Sequence, residues 1–163
     1  MFTTIKDFIE CWKRESDATL KIFQNLTDDA LLQKVIVDGR TLGRLANHII
    51  ETLIEMPSKL GIIMDEENKI YTTPSELIQA YTEASENLLL GIQTKWNDET
   101  LKEERNMYGE QWKNSFSLWV LILHQTHHRG QMTVLMRQAG LKVPGVYGPA
   151  KEEWSAFNMP AMN

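Results

Sequence analysis

Thr73-Pro74-Ser75-Glu76-Leu77-Ile78-Gln79-Ala80-Tyr81 is the stretch that decides how this chain is laid out. Its first four residues supply a threonine N-cap, a proline at the first helical position and a glutamate at the third, the pattern of a capping box. Leu77, Ile78, Tyr81, Leu88 and Ile92 follow at helical spacing, so a helix is expected over residues 74–94. The residues before it matter as much. Residues 57–73 form a polar connection, with Asp65-Glu66-Glu67 read as a solvated loop. They follow a helix expected over residues 41–56, on which Leu42, Leu45, Ala46, Ile49 and Leu53 share a face and which Pro57 is expected to stop. A helix of roughly 16 residues rises about 24 Å, and the connection is long enough to carry the chain back that far. These two helices can therefore run parallel, giving up-down-down-up order in a four-helix protein. Simple up-down-up-down order needs no such crossover and stays open on these residues alone.

Working outward, Thr3 or Thr4 can cap a first helix carrying Ile5, Phe8, Ile9, Trp12, Ile22 and Phe23 and ending near Asn25. Thr27-Asp28-Asp29 can start a short helical turn through Leu32, and Val37-Asp38-Gly39-Arg40 reads as a turn in which Gly39 is free to take positive φ. Residues 96–110 are expected to mix loop with a short helical piece. The longest helix is expected over residues 111–139, with Gly140 as its C-cap. Residues 142–149 are too rich in Gly and Pro for a helix, and Trp154 and Phe157 suggest a tail that packs back onto the fold. Four amphipathic segments without strand signals imply an all-α four-helix bundle, with residues 1–163 as one domain.

Composition narrows the function. The chain has 163 residues, of which 42% are hydrophobic and 24% charged, enough apolar side chains to build a core and too many for wholesale disorder. Net charge is −5 and the basic residues are scattered, so there is no basic stripe for nucleic acid. The first ten residues do not read as a signal peptide, and the longest apolar run, from Leu118 to Leu123, is far short of a membrane span. One cysteine, Cys11, cannot form an internal disulfide, and it fits no nucleophile motif. A soluble cytoplasmic protein is expected.

The four histidines are the sharper signal: His48, and then His124, His127 and His128 together. At about 100° per residue, His124 and His128 differ by roughly 40° around a helix and can grip one ion. A catalytic zinc-type site wants three protein ligands and an open position. His48 lies near the middle of the second helix and His124 near the middle of the fourth, depths at which bundle sites are built. A His48–His124–His128 triad is therefore the candidate metal site. His127, roughly 60° from His124 on the other side, could replace one of the pair, donate a hydrogen bond to a ligand, or pack at an interface.

His124-Gln125-Thr126-His127-His128-Arg129-Gly130-Gln131, with Pro144-Gly145-Val146-Tyr147-Gly148-Pro149 beyond it, resembles the C-terminal signature of the DinB-like family. Gly39-Arg40-Thr41-Leu42-Gly43-Arg44-Leu45-Ala46-Asn47-His48-Ile49 is similar to that family's first metal histidine in its helix-two context. The resemblance implies a four-helix bundle of up-down-down-up topology. It places the metal histidines on His48, His124 and His128, with nickel or zinc as the usual ion and water completing the shell. It also implies a homodimer through helix faces. The wider superfamily includes bacillithiol S-transferases, a mycothiol-dependent maleylpyruvate isomerase and members described as metal-dependent hydrolases. A small-molecule substrate, thiol transfer or hydrolysis, and a low-molecular-weight thiol as co-substrate are the expectations that follow. A stress-associated protein that binds a metal or small ligand without turnover is the alternative, and a metal-free helical dimer with structural histidines is a third.

Other side chains have competing roles. Gln131 lies one turn beyond His128 and can bond a ligand histidine or a water, or serve helix packing. Tyr147 can close over the site or anchor its loop. Arg129 points away from the ligand pair, and an ion pair that fixes the last helix is its expected role. Trp112, Phe116 and Trp119 read as core or dimer surface. No phosphate-binding loop or Ser-His-Asp order is present.

Overall fold

The computed structural model describes residues 1–62 and 69–161. Four long helices carry the fold: α1 (Ile5–Phe23), α2 (Leu42–Lys59), α3 (Pro74–Lys95) and α4 (Asn114–Gln138). Short 3-10 turns lie at Asp29–Leu32, Thr100–Lys102 and Trp154–Phe157. The acidic loop residues Asp65, Glu66 and Glu67 lie outside the described residues.

The helix starts follow from their caps. Thr4, Thr41 and Thr73 each accept a hydrogen bond from the backbone N–H three residues on, and Thr73 with Glu76 completes the capping box. The ends of α2 and α4 follow from glycine. Pro57 does not stop α2: it forfeits its own N–H bond to the preceding turn, yet the residues after it still close the last turn, with Leu60 N–H on the Met56 carbonyl. The stop is Gly61, at φ 72°, where Gly61 N–H bonds to the Ser58 carbonyl and Ile62 N–H to that of Pro57. The same Schellman pattern ends α4 at Gly140, at φ 75°. Gly39, by contrast, does not take a positive φ.

Residues 104–113 correct the all-α expectation. Strands β1 (Glu104–Met107) and β2 (Glu110–Lys113) pair antiparallel, with Glu104 opposite Lys113 and Met107 opposite Glu110. Tyr108 and Gly109, at φ 57° and 90°, form the two-residue turn whose twist suits a hairpin. Met107 is buried beneath it, and the Asn106 side chain accepts from Gly109 N–H. Gln111 therefore sits in a strand, and α4 begins at Asn114. Asn114 is fully buried; its N–H bonds to the Glu103 carbonyl and its side-chain amide donates to the Thr100 carbonyl.

One apolar core draws on all four helices, with Phe8, Trp12, Phe23, Leu53, Tyr81 and Leu88 among its fully buried members. Contacts along the helices set their pairing. Phe2, just before α1, meets Trp119 near the start of α4, and Glu15 meets Arg129 farther along both. The amide N–H of Ile5, at the start of α1, reaches Asp98 beyond the end of α3, while Phe23 at the α1 end packs on Tyr81 early in α3. Asn47 clasps Tyr71, just ahead of α3, through both its backbone N–H and C=O, and Lys95 at the α3 end donates to the Ile62 carbonyl past the end of α2. Helices α1 and α2 each pack on both α3 and α4. No helix among the described residues is long and apolar enough to cross a membrane.

The tail is held differently from the expectation. Trp154 is half-buried and Phe157 is 60% exposed. Its ties are polar: Arg137 grips Glu152, and Glu153 accepts from the N–H groups of Gly145 and Ala150.

Candidate metal centre

The register of α2 against α4 is fixed by a glutamine in the core. Gln125 is fully buried; its amide donates to the Ile49 carbonyl at 3.0 Å and its oxygen accepts from the Tyr81 hydroxyl at 3.2 Å. A buried amide left without these partners would lose its hydration for nothing, so the pairing is demanded by burial. Ile49 follows His48 in sequence and Gln125 follows His124, so this strap sets the two histidine-bearing turns face to face.

At that level His48, His124 and His128 converge. Each offers one ring nitrogen, and the three nitrogens lie within 4.8 Å of one another. Ring centroids are 5.0 Å apart for His48 and His124, 4.7 Å for His48 and His128, and 4.4 Å for the helical pair. The Nε2 atoms of His124 and His128 approach to 3.1 Å. Two nitrogens that each sit about 2.0–2.1 Å from a common ion lie on the order of 3 Å apart, so the observed spacing suits a shared cation.

The electrostatics also fit. Burial, followed by the neighbouring imidazoles, lowers the His124 pKa to about 4. Burial is likewise the main cause that lowers His48 and His128, and the Arg40 guanidinium pushes all three the same way. Neutral imidazoles keep the lone pairs that a metal needs. The His124 Nδ1 is buried with no hydrogen-bond partner among the described residues.

Two partners orient the candidate ligand rings. His128 Nδ1 donates to Gln131 Oε1 at 2.7 Å, which leaves its Nε2 lone pair free. His48 Nδ1 faces Glu51 Oε2 at 3.5 Å, and Arg44 holds that carboxylate at 2.9 Å. Sequence reasoning found Gln131 and passed over Glu51 and Arg44. The available signal was Glu51 three residues beyond His48, on the same helical face. His127 is exposed and touches the site indirectly: its Nε2 accepts from the Gln131 amide at 3.0 Å, and its ring lies 4.9 Å from that of His128.

Tyr147 is placed elsewhere. Its hydroxyl bonds to Glu15 and Arg129 and lies 3.0 Å from the Thr126 hydroxyl. Thr126 and Arg129 lie across the α4 axis from His124 and His128 at about 100° per residue, so Tyr147 anchors its loop and does not cover the histidines. Arg129 is buried in an ion pair with Glu15 that ties α4 to α1, the role its position predicts. Cys11, half-buried with burial raising its thiol pKa, lines a cavity beside Tyr147 and Glu15. Trp112 and Phe116 stack edge to face below the hairpin turn, and Phe116 and Trp119 are partly exposed.

With this geometry in hand, the relatives are informative. Residues 1–161 match the sequence model of the DinB family. Protein YrdA of Bacillus subtilis strain 168, described as uncharacterised, is 43% identical over 164 aligned positions, covering 99% of this chain and 98% of the relative. The crystal structure of a DinB-like protein from Bacillus cereus superposes with a TM-score of 0.86 at 39% identity, covering 90% of this chain and all of the other. A second DinB-like protein, YjoA of Bacillus subtilis, shares the fold at a TM-score of 0.71 with 14% identity, covering 88% of this chain and 99% of that one. The match along almost the whole sequence and the close structural relative agree: this chain belongs to the DinB family.

Proposed function

We propose that this protein is a metal-dependent enzyme that transfers a thiol to, or hydrolyses, a small molecule at a centre held by His48, His124 and His128. The observation that carries the reading is the convergence of three ring nitrogens from two helices within 4.8 Å. Three ligands leave room for water or substrate, which is the pattern of catalytic rather than closed structural sites. A divalent ion such as nickel or zinc supplies Lewis-acid chemistry there when bound, acidifying water or a thiol. The chain's own residues supply orientation. Gln131 and Glu51 hold the Nδ1 sides of His128 and His48, so that both rings present Nε2. Arg44 keeps Glu51 in place, and the Gln125 strap prevents α2 and α4 from sliding past each other.

The reading includes up-down-down-up helix order, supported by the Phe2–Trp119, Asn47–Tyr71 and Lys95–Ile62 contacts. It takes residues 1–163 as one domain, supported by a single contiguous core. A homodimer is part of it too, supported by Phe116, Trp119 and Leu123, a partly exposed apolar stripe at helical spacing on α4.

Metal analysis of chelator-free protein is the first test. Stoichiometric nickel or zinc is expected, and it is expected to vanish in His48→Ala and His128→Ala. No metal in the wild type, with unchanged stability in both variants, would overturn the centre. Metallated protein is then incubated with low-molecular-weight thiols and a haloarene, and with a panel of esters and amides. Turnover of one set identifies the chemistry. Turnover of neither makes the protein a metal or ligand binder without catalysis.

A further inference from the structure

Arg40 is an exposed cation without a protein partner among the described residues. Its guanidinium makes no ion pair or hydrogen bond with them, whereas Arg44, one helical turn on, is paired with Glu51. Arg40 instead lines a cavity together with Gln131, the side chain bonded to His128 Nδ1. A guanidinium that lines a cavity without a partner is suited to receive an anion there.

The space for that anion is present. A cavity of about 450 Å³ is lined by Arg40, Gln131, Val35, Leu45, Val134 and Leu135, a size within the usual range for small-molecule sites. Gln131 is shared: it lines the cavity and also holds His128 Nδ1 at 2.7 Å, so one side chain links the cavity to the candidate metal centre. Apart from Arg40 and Gln131 these side chains are aliphatic. Val35 and Val134 are 62% and 54% exposed, apolar surface that a ligand's body would cover.

We propose that this cavity is the substrate's anchoring site and that it selects an organic carboxylate with an apolar body, the carboxylate on the Arg40 guanidinium and the body against Leu45, Leu135, Val35 and Val134. This rests on the three-histidine reading for its catalytic meaning, but the binding site itself does not need the ion. Arginine suits the role because its planar fork matches a carboxylate with two parallel hydrogen bonds.

Hexanoate and hexanol, which differ at the charged end alone, test it by titration into metal-loaded protein with amide chemical shifts as the readout. Hexanoate is expected to bind about tenfold more tightly than hexanol, the worth of one charge-assisted pair. The shifts are expected to map to Arg40, Leu45, Gln131 and Leu135. Arg40→Ala is expected to remove the preference while leaving hexanol binding unchanged, and Arg40→Lys to keep part of it. Equal binding of the two probes, or a preference that survives Arg40→Ala, would overturn the proposal. The same titration in His48→Ala separates it from the metal reading. An Arg40-dependent preference is expected to persist there; a preference confined to metal-loaded protein assigns the carboxylate to the ion and overturns the Arg40 site. Absence of metal in the wild type, with the preference intact, fails the enzyme reading alone.

Discussion

Gln131 joins the candidate ligand His128 to its exposed neighbour His127, accepting from Nδ1 of the first at 2.7 Å and donating to Nε2 of the second at 3.0 Å. One amide thereby sets the tautomer of His128. Such partners are worth about 10–100-fold in metal affinity. Gln131→Leu is expected to weaken nickel or zinc binding by about tenfold in chelator competition. His127→Ala is expected to have a much smaller effect, because His127 acts through Gln131. Loss of the ion in His127→Ala would instead make His127 a ligand.

The Glu15–Arg129 pair is a stability prediction. Their side chains are 12% and 3% exposed, and Arg129 also donates to the Glu15 carbonyl and the Thr19 hydroxyl, each at 3.0 Å. Removing one partner strands a buried charge, at a cost of about 3–5 kcal/mol. Glu15→Ala is expected to lower unfolding free energy in urea by that amount. Glu15→Ala with Arg129→Met is expected to cost less than the two changes summed, since the second removes the charge that the first strands. Tyr147→Phe is expected to cost about 1 kcal/mol, one hydrogen-bonding group of the same cluster.

Gly91 reverses a familiar sign. Glycine to alanine inside a helix ordinarily stabilises by about 1 kcal/mol. A Cβ at Gly91 would lie 2.6 Å from Ile62 Cγ2 and 2.9 Å from the Ile62 carbonyl oxygen. That carbonyl is also held by Lys95, so the chain end of α2 cannot retreat freely. Gly91→Ala is expected to destabilise by about 1–3 kcal/mol, read as a lowered urea midpoint. A raised midpoint would mean that Ile62 yields to the added methyl without cost.

These cases show what the sequence makes legible. Caps are local chemistry, so the Thr73–Glu76 box could be read directly and the first cap narrowed to Thr3 or Thr4, and helical periodicity gave the apolar faces of α1, α2 and α3. The His124–His128 pair was equally legible, because four-residue spacing settles which side chains share a face. The hairpin was not. Its turn is Tyr108-Gly109 rather than Asn-Gly, and Tyr108 takes φ 57° with its hydroxyl on Glu55, a residue 53 positions away, and Lys59 over its ring. Long-range contacts hold a residue in a conformation that its own propensity disfavours. Which of its two roles Tyr147 takes was not legible for a related reason: its loop has no periodicity, and only the packing of α1 on α4 decides that its hydroxyl meets Glu15 and anchors the loop. Glu51 was visible on the His48 face, but its meaning depends on Arg44, which locks it.

The C-terminal tail offers a pH test with a definite sign. Arg137 holds the Glu152 carboxyl down to about 2, and the N–H groups of Gly145 and Ala150 lower that of Glu153. Both groups titrate in the folded state below their unfolded value of about 4.3. Their contribution to docking is therefore complete above that value and is lost as pH falls through the folded pKa values. Glu152 is exposed and Glu153 half-buried, and both bond only to residues of the tail and the last turn of α4, so the effect is local to the tail. At neutral pH, Glu152→Gln with Glu153→Gln is expected to release the tail and speed tryptic cleavage after Lys151. In the wild type the Trp154 indole resonance is expected to stay at its docked position at about pH 5 and to move toward its free position on further acidification. Cleavage no faster in the double variant than in the wild type would show that half-buried Trp154, and not the two carboxylates, holds the tail.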